Sequence, residues 1–228
     1  GFNKAFLIDS ATRQQLIAKE PHASEIIKPY LRGQDIKRWS PEWDDLWMIF
    51  TRRGIDIDHY PGVKSYLSEF RPYLEPQPPT WTEGEWQGRK SGTYQWYEIQ
   101  DSVDYWPLFN GPKLLYQEIQ FHSAFAYDDA GYFTNNKVFI LPGQDLYLLA
   151  VLNSPLMWWH NWRYLPHMKD EALNPAGFLF EQLPIAIATD RVREECHLLV
   201  SRLITLSREG AQIRQIAVDW LRMEFGID

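Results

Sequence analysis

The chain has 228 residues, 45% of them hydrophobic and 15% aromatic, with a formal net charge of -7 at pH 7. That apolar content excludes a disordered chain, and the length supplies one substantial core or two small ones. One cysteine, Cys196, excludes an internal disulfide framework and suits a reducing cytoplasm, and no apolar run approaches the ~20 residues of a membrane helix.

The sequence opens at Gly1, with no signal peptide, directly on the strand-like "KAFLID", so it reads as a piece cut from a longer polypeptide. Ser10 is placed to cap a short helix over 11–18 with Leu16 and Ile17 inward. "DLWMIFT", residues 45–51, is apolar throughout and reads as a buried strand. Pro61 opens an amphipathic helix carrying Val63, Tyr66, Leu67 and Phe70 and running to about Leu74. A long loop over 75–92 follows, and its Trp81 and Trp86 argue against disorder.

"PKLLYQEI", residues 112–119, reads as a strand, and Asp129-Ala130-Gly131 supplies the turn of a hairpin between two aromatic strands. "DLYLLAVLNSPLMWWHNW" reads as one buried helix, residues 163–177 as a second long loop, and "FLFEQLPIAI" as a strand or extended segment. Two helices close the chain with Gly210 between them, forming a helical hairpin. The expected class is therefore α+β: a mixed sheet with packed helices, long loops and a C-terminal helical hairpin. The expected division is a domain over 1–188 and a hairpin over 189–228, packed on it or extending from it.

Catalytic patterns are mostly missing. There is no P-loop, no glycine-x-glycine pair, no G-x-S-x-G elbow, and no HExxH or CxxC companion for His22, His59, His122, His160, His167 or His197. "NPAGF", residues 174–178, departs at Ala176 and Gly177 from the Asn-Pro-Pro-aromatic motif of amino-methyltransferases and reads as a turn. Asp128 and Asp129 belong to the hairpin turn rather than to a nuclease. No catalytic, cofactor-binding or metal-ligating residue is assigned.

Binding chemistry is better represented. Basic residues cluster at Lys28, Arg32, Lys37 and Arg38, at Arg52 and Arg53, at Arg89 and Lys90, and at Arg163, His167 and Lys169. Net acidity does not forbid a positive groove, because the local field follows arrangement rather than total charge. Scattered, solvated charge is the plain alternative. The many aromatic residues also admit a carbohydrate- or peptide-binding module.

The ordered series "GFNKAFLID", "EIIKPYLRGQDIKRW", "YPGVKSYL", "YQWYEIQD", "GPKLLYQEI", "LLAVLNSPL" and "FEQLPIAI" resembles the TaqI-like C-terminal specificity domain. That domain is the target-recognition module of adenine-specific DNA methyltransferases in restriction-modification and related phage-defence systems. "VDWLRMEFGID" also looks like the tail that follows it in large single-chain proteins of this kind. The resemblance implies a cytoplasmic module that binds double-stranded DNA opposite an upstream methyltransferase domain of the same polypeptide. That domain would hold S-adenosylmethionine and carry the chemistry, while this chain would need no cofactor.

Phosphate contacts position a protein without reading sequence, and the expected set is Lys28, Arg32, Lys37, Arg38 and Lys113. Arg32 has a second reading, an internal pair with Asp35 that fixes the loop, and Lys113 has the same two-sided character. Base reading is expected from long loops: Gln87, Arg89 and Lys90 in one, Arg163, His167 and Lys169 in the other, with Arg52 and Arg53 at a strand end.

Overall fold

The computed structural model of the protein describes residues 3–175 and 177–226. Gly1 and Phe2 of the opening motif, Ala176 of "NPAGF", and Ile227 and Asp228 of the tail lie outside the described residues. The class is α+β, with helices, two sheets and long loops. The chain divides into two compact units, Gly1–Tyr30 with Asp45–Pro107 and Leu31–Asp44 with Leu108–Asp228. These bounds differ from a division at residue 188, because the C-terminal helix shares a core with the strands and helices before it.

In the first unit a 3-10 turn, Asn3–Phe6, leads into β1 (Leu7–Asp9), so "KAFLID" is a strand only in its second half. The helix α1 (Ser10–Lys19) starts one residue before the expected span. Its cap is Asp9, whose carboxylate accepts from the Thr12 amide at 2.8 Å. Next come β2 (Ile27–Leu31) and β3 (Leu46–Ile49). β3 is central, antiparallel to β1 through Ile8↔Trp47 and to β2 through Lys28↔Met48.

The helix expected to run to Leu74 is two, α2 (Pro61–Ser68) and α3 (Arg71–Leu74). Pro72 accounts for the break: it has no amide proton, and its ring excludes the carbonyl of residue 68 from a continuous helix. Ile8, Ile49, Val63, Leu67 and Leu74 are buried, each contributing ~1.5–3 kcal/mol of transfer free energy.

In the second unit β4 (Lys113–Gln117) lies between β5 (Phe125–Asp128) and a later strand. After β5 come the two-residue β6 (Phe133–Thr134) and β7 (Val138–Pro142). β4 pairs antiparallel with β5 through Leu115↔Ala126 and with β7 through Leu115↔Ile140. The turn at residues 129–131 exists, but its flanking strands do not pair with each other, so the expected hairpin is corrected. Asp128 is the physical reason: its carboxylate accepts from the Ala130 and Tyr132 amides and turns the chain away from β5.

The segment read as one buried helix is α4 (Leu146–Leu152) and α5 (Pro155–Tyr164). Ser154 caps the second, accepting from the Met157 amide at 3.1 Å, and Pro155 takes the first-turn position where no amide is needed. "FLFEQLPIAI" is not a strand: α6 (Gly177–Phe180) is a short helix followed by irregular chain.

The expected C-terminal hairpin is a single helix, α7 (Asp190–Phe225), 36 residues long. Gly210 is no turn, because its φ is not positive; the left-handed cap comes at Gly226, φ 60. Val200 and Ile204 of α7 join Leu146, Leu149 and Leu152 over the β4–β5 face that presents Leu114, Tyr116, Phe125 and Tyr127. The opposite face, with Leu115, Ala126 and Val138, packs on Leu31 and Ile36. This placement fixes the loop over residues 32–44 against the sheet.

Candidate nucleic-acid interface

In the second unit the glycine-centred corner is built on Arg32. Its Nε and Nη2 donate to the two Asp35 carboxylate oxygens at 3.0 and 2.9 Å, and Nη2 reaches Asp44 at 2.8 Å. The two carboxylates hold the guanidinium more firmly protonated than an ordinary arginine. The internal-pair reading of Arg32 therefore holds, and its expected phosphate contact is corrected: its charge is already neutralised.

Lys37 and Arg38 are exposed. Arg38 Nε donates to the Ser123 carbonyl at 3.2 Å, and neither cation has a carboxylate within ion-pair distance among the described residues. The next residue, Trp39, has φ 79. For a bulky side chain this is a strained, left-handed conformation costing ~1–3 kcal/mol. It is held by β5: the Trp39 amide donates to Phe125 O at 2.8 Å, and the Tyr127 amide donates to Trp39 O at 2.9 Å.

The second long loop of this unit attaches to the same neighbourhood. Gln120 and Leu173 exchange amide-to-carbonyl bonds of 2.9 and 2.8 Å. Residues 120–123 thus anchor the Arg38 corner at Ser123 and the loop over 163–173 at Gln120. In that loop Arg163 lies 4.6 Å from the Trp159 ring centroid, and Lys169 is exposed. His167 bonds Glu171 through Nδ1 at 2.8 Å and the Trp162 carbonyl through Nε2 at 2.7 Å. Both ring nitrogens face acceptors, so imidazolium satisfies both; the Trp162 carbonyl and then Glu171 raise the His167 pKa. The α5 rings Trp159, Trp162 and Tyr164 are exposed. Reading that segment as a buried helix missed them, although the side-by-side tryptophans leave no single face able to cover both.

Lys113 is corrected as a phosphate contact. Its side chain is fully buried, with Nζ 2.5 Å from Asp128, itself fully buried, and 2.6 Å from the Phe109 carbonyl. Buried at the start of the central strand β4, it is out of reach of a phosphate.

In the first unit Arg52 and Arg53 are exposed at the end of β3. Arg53 donates to Thr93 Oγ1 at 3.3 Å and to the Gln100 carbonyl at 2.6 Å, which ties it to the loop carrying Lys90. Arg52 lies 5.8 Å from the Trp106 ring centroid. Gln87 and Lys90 are exposed, and Lys28 is half-buried in β2.

Arg89 is corrected as a base reader. It is 1% exposed, and its guanidinium donates to the carbonyls of Leu74, Glu98, Gln95 and Trp96 at 2.7–3.1 Å. Burial lowers its pKa. Arg89 is the post around which the long loop is wound, and it holds that loop in one shape without strands.

Across the two units, seven of the expected cations are exposed and lack a carboxylate partner among the described residues: Lys37, Arg38, Arg52, Arg53, Lys90, Arg163 and Lys169. Among the described residues no group of three histidine, cysteine or acidic side chains is arranged to hold a metal ion, and no helix is long and apolar enough to cross a membrane.

The chain belongs to the TaqI-like C-terminal specificity domain family, whose pattern matches residues 28–185. Among solved structures it is similar in fold to the Type IIL restriction-modification enzyme MmeI in complex with DNA, with 13% identity and a TM-score of 0.54. The match covers 83% of this chain and 24% of that one, so the chain spans about a quarter of the enzyme's length. No curated protein matches the chain.

Proposed function

We propose that this chain is the DNA target-recognition module of a restriction-modification or related phage-defence protein. In this reading Lys37 and Arg38 hold phosphates, while Arg52, Arg53, Gln87, Lys90, Arg163, His167 and Lys169 lie on the elements that meet base edges. Arginine suits guanine N7 and O6, and glutamine suits adenine. The observation that carries the reading is the set of exposed cations left without carboxylate partners among the described residues, with Arg53 held by neutral acceptors. An arginine fixed by a hydroxyl and a carbonyl keeps its full charge and its remaining donors for a ligand. Family membership and the likeness to a DNA-bound restriction-modification enzyme support the same conclusion.

The chain supplies no catalytic residue in this reading. Transfer of a methyl group from S-adenosylmethionine to the exocyclic amine of a flipped adenine belongs to an upstream methyltransferase domain of the same polypeptide.

The test is retention of duplex DNA in a mobility-shift assay at low ionic strength. Dissociation constants of ~10⁻⁴ to 10⁻⁶ M are expected for a half-clamp that binds mainly through phosphates. Failure to retain any duplex, even with the methyltransferase domain supplied, defeats the reading.

A further inference from the structure

The strained corner at Trp39 is gripped from a second side. Besides the two β5 bonds to Trp39, α7 reaches the residues on either side of it. Ser207 Oγ donates to the Arg38 carbonyl at 3.4 Å, and Arg208 Nε donates to Ser40 Oγ at 3.3 Å. Arg208 Nη2 also pairs with Asp129 at 2.7 Å, which ties the corner to the turn after β5. Arg214 pairs with Glu42. Residues 38, 40 and 42 are therefore each held by α7, while Lys37 and Arg38 point to solvent. A left-handed tryptophan persists only where its surroundings over-determine it.

We infer that α7 is a brace for the cationic corner, with Arg208 and Arg214 acting as positioning residues for the phosphate contacts of Lys37 and Arg38. The inference rests on the DNA-recognition reading and adds what holds that contact in place. Arg208 and Arg214 do not touch the phosphate; they keep the loop from relaxing at Trp39 and carrying Arg38 out of register. β5 holds the backbone of Trp39 itself and α7 holds the residues on either side of it, so both act on one strained residue.

The test compares duplex binding across a salt series for the parent chain, Arg208→Ala, Arg208→Lys, Glu42→Gln, and Lys37→Ala/Arg38→Ala. Arg208→Ala is expected to lower affinity ~5- to 10-fold and to flatten the salt dependence by about one released counterion. Arg208→Lys, which keeps a cation for Asp129, is expected to recover most of the loss. Adding Lys37→Ala/Arg38→Ala to Arg208→Ala should weaken binding by less than the sum of the separate effects, because both act on one contact. Glu42→Gln, which leaves the packed face of α7 intact, gives the same result at ~2- to 3-fold and decides the matter if Arg208→Ala does not fold. If Arg208→Ala and Glu42→Gln bind like the parent while Lys37→Ala/Arg38→Ala binds more weakly, the brace is refuted and the recognition reading stands. A parent chain that retains no duplex defeats both.

Discussion

Replacing Lys113 by methionine tests the reassignment of this residue from phosphate contact to structural ion pair. Lys113 and Asp128 are both fully buried and 2.5 Å apart. The substitution leaves a buried carboxylate with the Ala130 and Tyr132 amides at 2.8 and 3.1 Å as its partners. Removing one member of a buried pair costs ~3–5 kcal/mol, because the other charge is stranded in low dielectric. At about 2–4 °C per kcal/mol for a chain of this size, that corresponds to a fall in melting temperature of ~6–20 °C. Lys113→Met/Asp128→Asn removes both charges but keeps one side-chain acceptor for the turn amides, so it should cost less than the sum of the single variants. A coupling of ~2 kcal/mol is expected in a double-mutant cycle read by urea unfolding and tryptophan fluorescence. DNA binding by Lys113→Met below its melting temperature should show the parent's salt slope. Single variants that cost under ~1 kcal/mol and add independently, or a salt slope shallower by one, would refute the assignment.

Arg89→Met should leave the four carbonyls that flank the long loop, those of Leu74, Gln95, Trp96 and Glu98, without their donor, raising protease sensitivity between residues 75 and 105 ahead of global unfolding; Arg89→Lys should rescue only partly, since an ammonium cannot span the same four acceptors. At Gly210 an added Cβ meets nothing nearer than the Arg214 guanidinium at 3.7 Å. Gly210→Ala should therefore stabilise α7 by ~0.5–1 kcal/mol, whereas a helical hairpin with a turn there would be destabilised in thermal melts. His167 has a folded-state pKa raised above the ordinary histidine value, so its bonded, cationic form is fully present below that value and is lost as pH rises through the raised one. NMR titration should place its midpoint above 6.5 in the parent and nearer 6.5 in Glu171→Gln.

Elements whose cause is local were legible in the sequence. The start of α2 at Pro61, the β4 strand and the order of the first long loop follow from proline geometry, apolar runs and aromatic content. The segment over 146–164 shows the limit: its apolar content was clear, but the Ser154-Pro155 cap that divides it is itself a local signal that the apolar run concealed. Gly210 misled because a glycine marks a helix end only when its φ turns positive, which no spacing reveals.

The site was legible to the same depth. Clustered cations on loops located the exposed arginines, and Asp35 three residues after Arg32 announced their pairing. Lys113 and Arg89 could not be sorted from the others, because their partners lie in backbone carbonyls or 15 residues away in the chain. The strain at Trp39 and the reach of Arg208 and Arg214 arise from tertiary packing alone, with 168 residues between Arg208 and Ser40 and 172 between Arg214 and Glu42.

Salt-titrated duplex binding of alanine variants tests the central claim most directly. Alanine at Lys37, at Arg38 or at both should lower the slope of log affinity against log salt by about one for each cation removed. Alanine at Lys19, an exposed cation in the last turn of α1, should leave the slope at the parent value. Equal slopes for all four variants and the parent would mean that these cations do not meet DNA, and would contradict the account.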